Sequence, residues 1–455
     1  MNVIIFGTGK MYQRNKKFFE NMEIVAFIDN DVKKWNTYID NHMVMDPNQI
    51  INIEFDYVFL VSAYYSDMRK QLYAMNIPEK KIIDCEHRGM FQNLITTENY
   101  LFPDRNLMYG KRVLLFSHAL DLTGAPVALC RLAHILKKNG YNVTVFTEKN
   151  CSIKCGELLF QLLEDKISVV FYGCLDSIQV EDIVEQYDIF WVNTITLFYI
   201  VKKLVPTGKK ICWWLHEADD IYNDLDETII YPCAKNLYTY SVGWLAQNAY
   251  EGNSHHKITK NLLYGIPNFD DDNINNHILG NTIRFGIIGA YCPRKGQDIL
   301  YSAIEKHEEW RNCAEFVFIG RMPQDARSKY EQQPNIICEG ELALDKVTQW
   351  YNDLDVVICP SLYDPMPIVV SEAMQHKKMC IVTDRVGQAF YIQNGIDGLI
   401  CRAGSEDEIA EKIEWVINNK KQIRIIGERS YKIYEEHFSY KKFEENILYI
   451  MQELN

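Results

Sequence analysis

The sequence lacks any apolar run that approaches the roughly 18 residues of a membrane-spanning helix. Its first residues, 1–7, have the pattern of a strand and a turn, without the features of a signal peptide. Basic residues are in the minority, since 48 Lys and Arg against 61 Asp and Glu give a formal net charge of −13 at pH 7. Phosphate backbones are bound by basic surfaces, so this charge argues against general nucleic-acid binding. These absences predict a cytoplasmic protein.

Metal-binding cysteine patterns are missing as well. The chain has 13 cysteines, an odd number, and Cys151 and Cys155 are its only closely spaced pair. No second pair and no histidine cluster accompanies them, which disfavours a zinc site. Others, such as Cys212 and Cys359, lie in apolar segments where a free thiol packs as a small hydrophobic side chain. We therefore predict reduced thiols and no metal.

Core-forming residues are plentiful. Hydrophobic residues make up 47% of the 455 positions, enough for two or three domains of about 100 to 200 residues each. Strand-length apolar runs alternate with helical patterns, which predicts α/β domains with parallel sheets covered on both faces. The predicted strands cover 2–6, 23–28, 56–62, 81–84, 113–116, 141–146, 167–171, 188–192, 211–215, 237–241, 282–288, 315–319, 335–338, 355–359, 379–382 and 398–400. Helices are predicted at 127–136 and 440–453, the second capped by Ser439.

Polar, turn-rich segments predict the domain boundaries. Such segments occur near residues 96–110 and at 266–281. We predict a small Rossmann-like domain at 1–100, two larger α/β domains at 101–272 and 273–435, and a C-terminal helix at 436–455 that returns to the middle domain.

The first domain has a partial dinucleotide-binding pattern. Gly7 and Gly9 follow the first predicted strand, and Asp29 follows the second, where an acid can bind ribose hydroxyls. Tyr12 stands where the third small residue is expected. Two interpretations stay open: a docking or regulatory module that contacts a partner subunit or a second copy, and a nucleotide site. The Asp29-Asn30-Asp31 segment also has a DxD metal pattern, for which a ribose acid or a plain loop is the preferred interpretation.

Two acids frame a turn in the last domain. Asp364 and Glu372 are separated by seven residues that include Pro365, Met366, Pro367 and Ile368. Prolines mark where a helix can begin, and a helix N-terminus offers unpaired amide donors to an anion. Carboxylates beside such an anion are suited to sugar hydroxyls. The pattern predicts a phosphorylated, hydroxyl-rich ligand.

Two cations follow an earlier strand of the same domain. Gly289 ends that predicted strand, and Arg294 and Lys295 precede the next helical stretch. Cations at a helix N-terminus oppose the helix dipole and are stabilised by a bound anion. A diphosphate clamp is predicted, with a solvated Arg-Lys pair as the alternative.

Further polar or small residues lie at predicted strand ends of the middle domain, where open α/β sheets bind ligands. They are Gly124, Ala125, Asn193 and His216. An ordinary strand-to-helix loop at 124–125 and a capped histidine at 216 are the alternatives.

These motifs together resemble those of retaining GT-B glycosyltransferases of family 4, also described as glycosyl transferases group 1. Asp364 and Glu372 match the family's acid-x7-acid motif, and Gly289 with Lys295-Gly296 is similar to its Gly-Arg…Lys-Gly motif. The resemblance covers about residues 111–455. This sequence departs from the pattern at Ala290, where the family has Arg, and at 365–367, where the family has Gly-Phe-Gly.

The resemblance implies a GT-B fold, two Rossmann-like domains facing a cleft, and metal-independent transfer with retention from a nucleotide diphosphate sugar, UDP being the favoured nucleotide. No cofactor besides this donor is expected, and the acceptor is a glycan, glycolipid or glycoprotein of bacterial-type surface polysaccharide or glycoconjugate assembly. By resemblance, Lys295 and Arg294 stabilise the diphosphate, Glu372 binds ribose, and Asp364 and His216 bind the donor sugar. The remaining donor- or acceptor-binding residues implied are Gly124, Ala125, Asn193, Gly289, Leu342, Met366 and Ile368.

Two rival functions stay open. One is a non-catalytic GT-B subunit that supports a partner transferase. The departures from the family motifs at 290 and 365–367 favour this function. The other is a nucleotide-dependent oxidoreductase or epimerase that uses Gly7, Gly9 and Asp29. The basic residues between 202 and 210 are compatible with peripheral contact to an anionic membrane, although a solvated helix end is the simpler interpretation.

Overall fold

The computed structural model describes residues 2–9, 12–13, 16–19, 22–62, 65–78, 81–84, 111–148, 156–172, 175, 178, 180–217, 221–222, 232–268, 280–342 and 344–454. The predicted boundary near 96–110, the Cys151 and Cys155 pair and most of the polar segment 266–281 lie outside these residues. The chain divides into two compact units, Met1–Trp213 with Tyr231–Tyr238, and Trp214–Ile230 with Thr239–Asn455.

The first unit begins with a six-stranded sheet in the order β3-β4-β2-β1-β5-β6. Its elements are β1 Asn2–Phe6, β2 Glu23–Ile28, β3 Tyr38–Ile39, β4 His42–Met45, β5 Tyr57–Leu60, α1 Tyr65–Ala74 and β6 Ile82–Asp84. All neighbouring pairs are parallel except β3 and β4. Sequence patterns missed this short hairpin, whose turn residues Asp40 and Asn41 both have positive φ, at 49° and 67°.

The same unit continues with a parallel sheet in which β10, β7, β8 and β9 lie side by side in that order. Its elements are β7 Arg112–Ser117, α2 Gly124–Lys138, β8 Asn142–Glu148, α3 Gly156–Glu164, β9 Ser168–Tyr172, α4 Glu181–Val184, β10 Ile189–Asn193 and α5 Phe198–Leu204. The strand β11, Lys210–Leu215, ends in the second unit. Almost every residue of β7 and β10 is buried, as expected for strands covered on both faces.

The second unit contains β12 Leu237–Ser241, which begins in the first unit, α6 Trp244–Ser254 and β13 Lys260–Asn261. Its main sheet is parallel, with the order β16-β15-β14-β17-β18-β19. The strands and helices are β14 Ile283–Ile288, α7 Gln297–Lys306, β15 Ala314–Ile319, α8 Gln324–Tyr330, β16 Ile336–Gly340, α9 Leu344–Asp353, β17 Val356–Cys359, α10 Ile368–Gln375, β18 Met379–Thr383, β19 Leu399–Cys401, α11 Glu406–Asn418, α12 Lys420–Ile433 and α13 Tyr440–Glu453.

Short helical turns connect these elements. The 3₁₀ turns are Lys16–Phe19, Val32–Lys34, Pro47–Asn52, Ile195–Leu197, Val205–Thr207, Pro293–Lys295, Glu308–Asn312 and Gly387–Phe390, and a π-helix covers Tyr434–Phe438. Within the described part of the chain, no helix is both long and apolar enough to span a bilayer.

The last helix begins and ends where the sequence predicted. Ser439 caps α13, its Oγ accepting from the backbone N–H of Lys442 at 3.3 Å. The ring of Phe443 stacks on Trp214 at 5.8 Å between centroids, and the absent side chain of Gly265 leaves room for it. The predicted α/β class with parallel sheets is confirmed, and each predicted strand is found within two or three residues of its expected bounds.

Candidate functional site

Two neighbouring strands of the second unit's main sheet are each followed by a glycine. Gly289 follows β14 and Gly320 follows β15, with φ of 143° and 141°. A Cβ atom added at Gly320 would lie 2.3 Å from the carbonyl oxygen of Gly289, whereas one at Gly289 would meet nothing within 4 Å. The backbone at Gly289 can therefore be approached by ligand phosphates, whereas Gly320 allows close packing against Gly289. Sequence reasoning missed Gly320, although it directly follows a predicted strand, as Gly289 does.

The predicted cations converge on the first acid. Lys295 Nζ lies 2.5 Å and Arg294 Nη1 3.1 Å from Asp364 Oδ2. Arg294 also donates to the Tyr363 carbonyl at 2.7 Å. Asp364 is only 7% exposed, so its carboxylate is oriented by these contacts. The structure thus brings together Arg294, Lys295 and Asp364, with one more positive than negative charge.

Backbone hydrogen bonds fix the turn that carries Asp364. Its N–H donates to the Arg385 carbonyl at 2.9 Å, and the Gly387 N–H donates to the Asp364 carbonyl at 3.0 Å. Met366 is buried, with its methyl end against Gly243 and Gly387. The Pro-Met-Pro turn is therefore a packed element, held by residues far away in sequence.

Replacement of Gly387 by Ala is expected to lower the free energy of unfolding by about 2 kcal/mol or more. A methyl group at this position would lie 1.7 Å from the Pro365 carbonyl oxygen, which belongs to the fixed turn. Thermal or urea unfolding measures the change. Gly252→Ala is the matched control, because no atom lies within 4 Å of the added methyl and alanine favours the helix α6. Equal stability of the two variants would contradict the packing of this turn.

The helix α10 begins immediately after this turn. Pro367 is its N-cap, and the Pro367 carbonyl accepts from Gln388 Nε2 at 2.8 Å. Gln388 Nε2 also donates to Ser371 Oγ at 3.0 Å. Ile368, half-buried, is the first helical residue. The Val370 N–H donates to the Pro367 carbonyl at 3.2 Å, which leaves the amides of residues 368 and 369 as the first-turn donors that the general rule makes available. These amides, unlike the missing ones of the two prolines, are suited to bind phosphate oxygens.

The second acid of the motif is oriented by an aromatic neighbour. Glu372 is 9% exposed, and its Oε2 accepts from the Tyr351 hydroxyl at 2.9 Å. Its carbonyl accepts from His376 Nδ1 at 2.8 Å. Burial and the charge of Glu372 raise the pKa of Tyr351 well above its usual value, so the hydroxyl stays a donor. Sequence reasoning missed Tyr351 because it lies 21 positions from Glu372 on another helix.

His216 is buried directly after β11. Its Nδ1 lies 2.6 Å from the Tyr264 hydroxyl, and its ring lies 4.6 Å from Trp214 and 5.5 Å from Tyr264 between centroids. The backbone N–H of His216 donates to Glu217 at 3.0 Å. These contacts fix the ring orientation, and Tyr264 is a second residue that local sequence patterns could not identify.

The predicted residues of the first unit form their own cluster. Asn193, fully buried at the end of β10, donates from Nδ2 to the Ala125 carbonyl at 3.0 Å, and Gly124 begins α2. Nearby in sequence, His118 Nδ1 is buried without a hydrogen-bond partner in the described part of the chain. Burial lowers the pKa of His118, which favours the neutral ring. The Asn193 side chain thus holds the backbone at Ala125, next to Gly124, by a hydrogen bond.

Leu342 lies half-buried after β16, beyond Gly340, whose φ is 74°. The Gly340 carbonyl accepts from the Gly320 N–H at 2.7 Å. The loop with Leu342 therefore begins beside Gly320, at the end of β15.

Asp29 of the first domain is saturated by its own chain. Its Oδ2 accepts from the Thr8 N–H at 2.9 Å, from Thr8 Oγ1 at 2.6 Å and from Lys34 Nζ at 2.8 Å. Its Oδ1 accepts from the Asp31 N–H at 2.9 Å. Although burial opposes ionisation, the hydrogen bonds from Lys34 and Thr8 lower the pKa of Asp29 overall. The geometry assigns Asp29 a role in fixing the Gly7–Gly9 turn.

Among the described residues, one group of side chains has metal-ligand geometry. His307, Glu309 and Glu414 lie within 4.8 Å of one another through their ligand atoms. They are exposed or half-exposed, and none of them was predicted as a site residue.

Three family models match the chain. The model described as glycosyl-transferase family 4 matches residues 109–257, and the model described as glycosyl transferases group 1 matches residues 282–419. A third, C2185-like, N-terminal, matches residues 1–83. The second match contains Gly289, Arg294, Lys295, Asp364 and Glu372. Residues 109–257 therefore contain a glycosyl-transferase family 4 domain, and residues 282–419 a glycosyl transferases group 1 domain.

Solved structures show the fold of this chain. The Anabaena protein Alr3699/HepE, in complex with UDP and glucose, is 16% identical with a TM-score of 0.58 over 75% of this chain and 99% of the other. The lipopolysaccharide outer core galactosyltransferase WaaB, in its apo form, is 15% identical with a TM-score of 0.59 over 75% and 99%. The fold is GT-B, as predicted.

Curated relatives match over shorter stretches. An uncharacterised glycosyltransferase, MJ1178, of Methanocaldococcus jannaschii is 26% identical over 40% of this chain and 52% of its own length. The Escherichia coli UDP-Gal:alpha-D-GlcNAc-diphosphoundecaprenol alpha-1,3-galactosyltransferase is 24% identical over 34% and 42%. The matched region thus spans about half the length of these relatives.

Proposed function

We propose that the protein is a retaining, metal-independent glycosyltransferase that moves a sugar from a nucleotide diphosphate donor, UDP-linked by preference, to an acceptor hydroxyl. The observation that carries this proposal is the convergence of Lys295 and Arg294 on Asp364. The same domain has open space at Gly289 and a helix, α10, that begins just after Asp364. Two fixed positive charges and the first turn of α10 are suited to stabilise a departing diphosphate, and the Asp364 carboxylate is suited to accept hydrogen bonds from sugar hydroxyls.

The reaction needs charge and position from the protein. As the bond between the anomeric carbon and the phosphate oxygen breaks, negative charge grows on the diphosphate, and Lys295 and Arg294 stabilise it. The acceptor oxygen attacks the anomeric carbon from the same face, and its proton passes to the departing phosphate oxygen. Glu372 binds the ribose hydroxyls, Asp364 the sugar hydroxyls, and His216 the donor sugar.

The departure at residue 290 is compensated in this proposal. Arg294 takes the place of the family arginine, because its guanidinium lies 3.1 Å from the same carboxylate that Lys295 contacts. This compensation favours an active enzyme over a non-catalytic subunit. A lipid-linked glycan at the cytoplasmic face of a membrane is the proposed acceptor, by similarity to the named substrate of the E. coli relative.

A thermal-shift screen with UDP, GDP, TDP and NAD tests the proposal. A ligand at 100 times its dissociation constant stabilises the folded state by about 2.7 kcal/mol, so one nucleoside diphosphate is expected to raise the melting temperature clearly. NAD is expected to have no effect, since Asp29 already accepts four internal hydrogen bonds. A response to NAD alone would instead support the oxidoreductase or epimerase function.

Transfer assays test the finer claims. With the matching nucleotide sugar and a lipid-linked saccharide acceptor, activity is expected to persist in EDTA, and NMR of the product is expected to show the donor's anomeric configuration. Inversion, loss of activity in EDTA, or nucleotide binding without any transfer would contradict the retaining, the metal-independent and the catalytic parts of the proposal respectively.

A further inference from the structure

Tyr351 contacts the site from a helix that carries none of the family motifs. It lies on α9 and is 1% exposed, and its hydroxyl is 2.9 Å from Glu372 Oε2 and 3.2 Å from the Val369 carbonyl. A hydroxyl has one proton, and the shorter contact to the ionised partner is the stronger hydrogen bond. The Tyr351 hydroxyl therefore donates its hydrogen bond to the Glu372 carboxylate.

The surroundings give this tyrosine one orientation. The His376 ring stacks on Tyr351 at 4.8 Å between centroids and an interplanar angle of 17°. The same histidine donates from Nδ1 to the Glu372 carbonyl at 2.8 Å. Lys378 Nζ donates to the Asn352 carbonyl at 3.1 Å, which ties the end of α9 to the segment after α10. Tyr351 and Glu372 are thus held by a shared set of contacts.

A nearly buried glutamate has two alternatives to this arrangement. It can take up a proton, because burial disfavours the charged form, or it can adopt another rotamer. Either change would remove an acceptor for two ribose hydroxyls, because a carboxylic acid is a weaker acceptor and a rotated carboxylate is misplaced. The Tyr351 hydroxyl opposes both changes, because it keeps its proton, with a pKa well above the usual value, and donates it to one carboxylate oxygen at 2.9 Å.

We infer that Tyr351 is a positioning residue for nucleotide binding, which holds the Glu372 carboxylate in the orientation that binds the ribose of the donor. This inference rests on the proposed function, because it assumes that Glu372 binds the ribose. It adds a residue of α9 to the nucleotide site and makes the hydroxyl, not the ring, the group that matters for affinity.

The test is isothermal titration of UDP, GDP and TDP into the wild type, Tyr351→Phe, Glu372→Ala and the double variant. Tyr351→Phe is expected to weaken the binding of the preferred nucleotide about fivefold, since a hydrogen bond to a charged group is lost. In the Glu372→Ala background the same substitution is expected to change the affinity less than twofold, because its effect passes through Glu372. In transfer assays the donor KM is expected to rise with kcat little changed.

Tyr330→Phe is the matched control. Tyr330 is fully buried in the same unit, and its hydroxyl donates to Asp298 Oδ1 at 3.0 Å. This variant loses a comparable hydrogen bond and is expected to bind the nucleotide as the wild type does. Weakening by Tyr351→Phe of the same size with and without Glu372, or no weakening at all, would overturn the inference.

If the wild type binds none of the three nucleotides, the proposed function itself fails, and the inference with it.

Discussion

Lys295→Ala is expected to lower kcat by about 100-fold or more, with a smaller effect on donor KM. Lys295 is the closest cation to Asp364, at 2.5 Å, and it belongs to the turn Pro293–Lys295 that follows the Gly289 strand end. In the proposed mechanism, its charge acts mainly on the diphosphate oxygen that becomes negative as the sugar leaves. Because this charge is greatest in the transition state, the chemical step is expected to lose more than ground-state binding does.

Single-turnover kinetics with saturating donor measures this step directly. Lys306→Ala is the matched control, since Lys306 lies on the helix that follows the same turn and pairs with Glu406 at 2.7 Å, while its side chain is 66% exposed. Exposed pairs contribute little, so the control is expected to keep its activity and stability. An effect of Lys295→Ala confined to acceptor affinity would contradict the assigned role.

The extent to which the sequence predicts this protein differs between sheets and sites. Buried parallel strands have continuous apolar runs, so strands such as β14 and β17 are recognisable locally. The hairpin of β3 and β4 has only two and four residues, with Asp40 and Asn41 at its turn, and gives no such signal. Short edge elements depend on the neighbours that they pair with.

Within the site, the sequence predicted Arg294 and Lys295 beside the two acids, but it did not predict Tyr351 or the backbone contacts of Asp364. Asp364 and Glu372 are spaced by a motif, but the groups that orient them come from other elements. Gly387 and Arg385 bind the Asp364 backbone, and Tyr351 binds the Glu372 side chain. These contacts join segments brought together only by the parallel sheet, so no local pattern reports them.

The internal saturation of Asp29 is a further example. Its position after β2 fits the ribose-binding acid of a Rossmann unit, and the sequence left that interpretation open. Thr8 and Lys34 donate hydrogen bonds to the Asp29 carboxylate, and neither residue is part of the sequence fingerprint. A motif predicts which residue types are present, whereas the hydrogen bonds decide whether they are available to a ligand.

Asp364→Ala is expected to reduce transfer by about 100-fold or more while leaving nucleoside diphosphate affinity unchanged or increased. The loss follows from the proposed hydrogen bonds to donor sugar hydroxyls, each worth about 1.5 to 3 kcal/mol when the acceptor is charged. The expected affinity of the variant follows from the ion pairs, because in the proposed site Asp364 would compete with the diphosphate for the charges of Lys295 and Arg294. Removing a negative charge beside a bound anion favours the anion.

Titration of nucleoside diphosphate alongside transfer assays separates the two effects of Asp364→Ala. Asp355→Ala is the control, since Asp355 is also a buried acid of this unit and accepts from the Arg284 N–H at 2.8 Å. Asp355→Ala is expected to lower the stability of the protein. It is not expected to combine reduced transfer with unchanged or increased nucleotide affinity, as Asp364→Ala is. Weaker nucleotide binding by Asp364→Ala would show that the carboxylate orients the two cations for the diphosphate, and that the pairing seen without a ligand supports donor binding and does not compete with it.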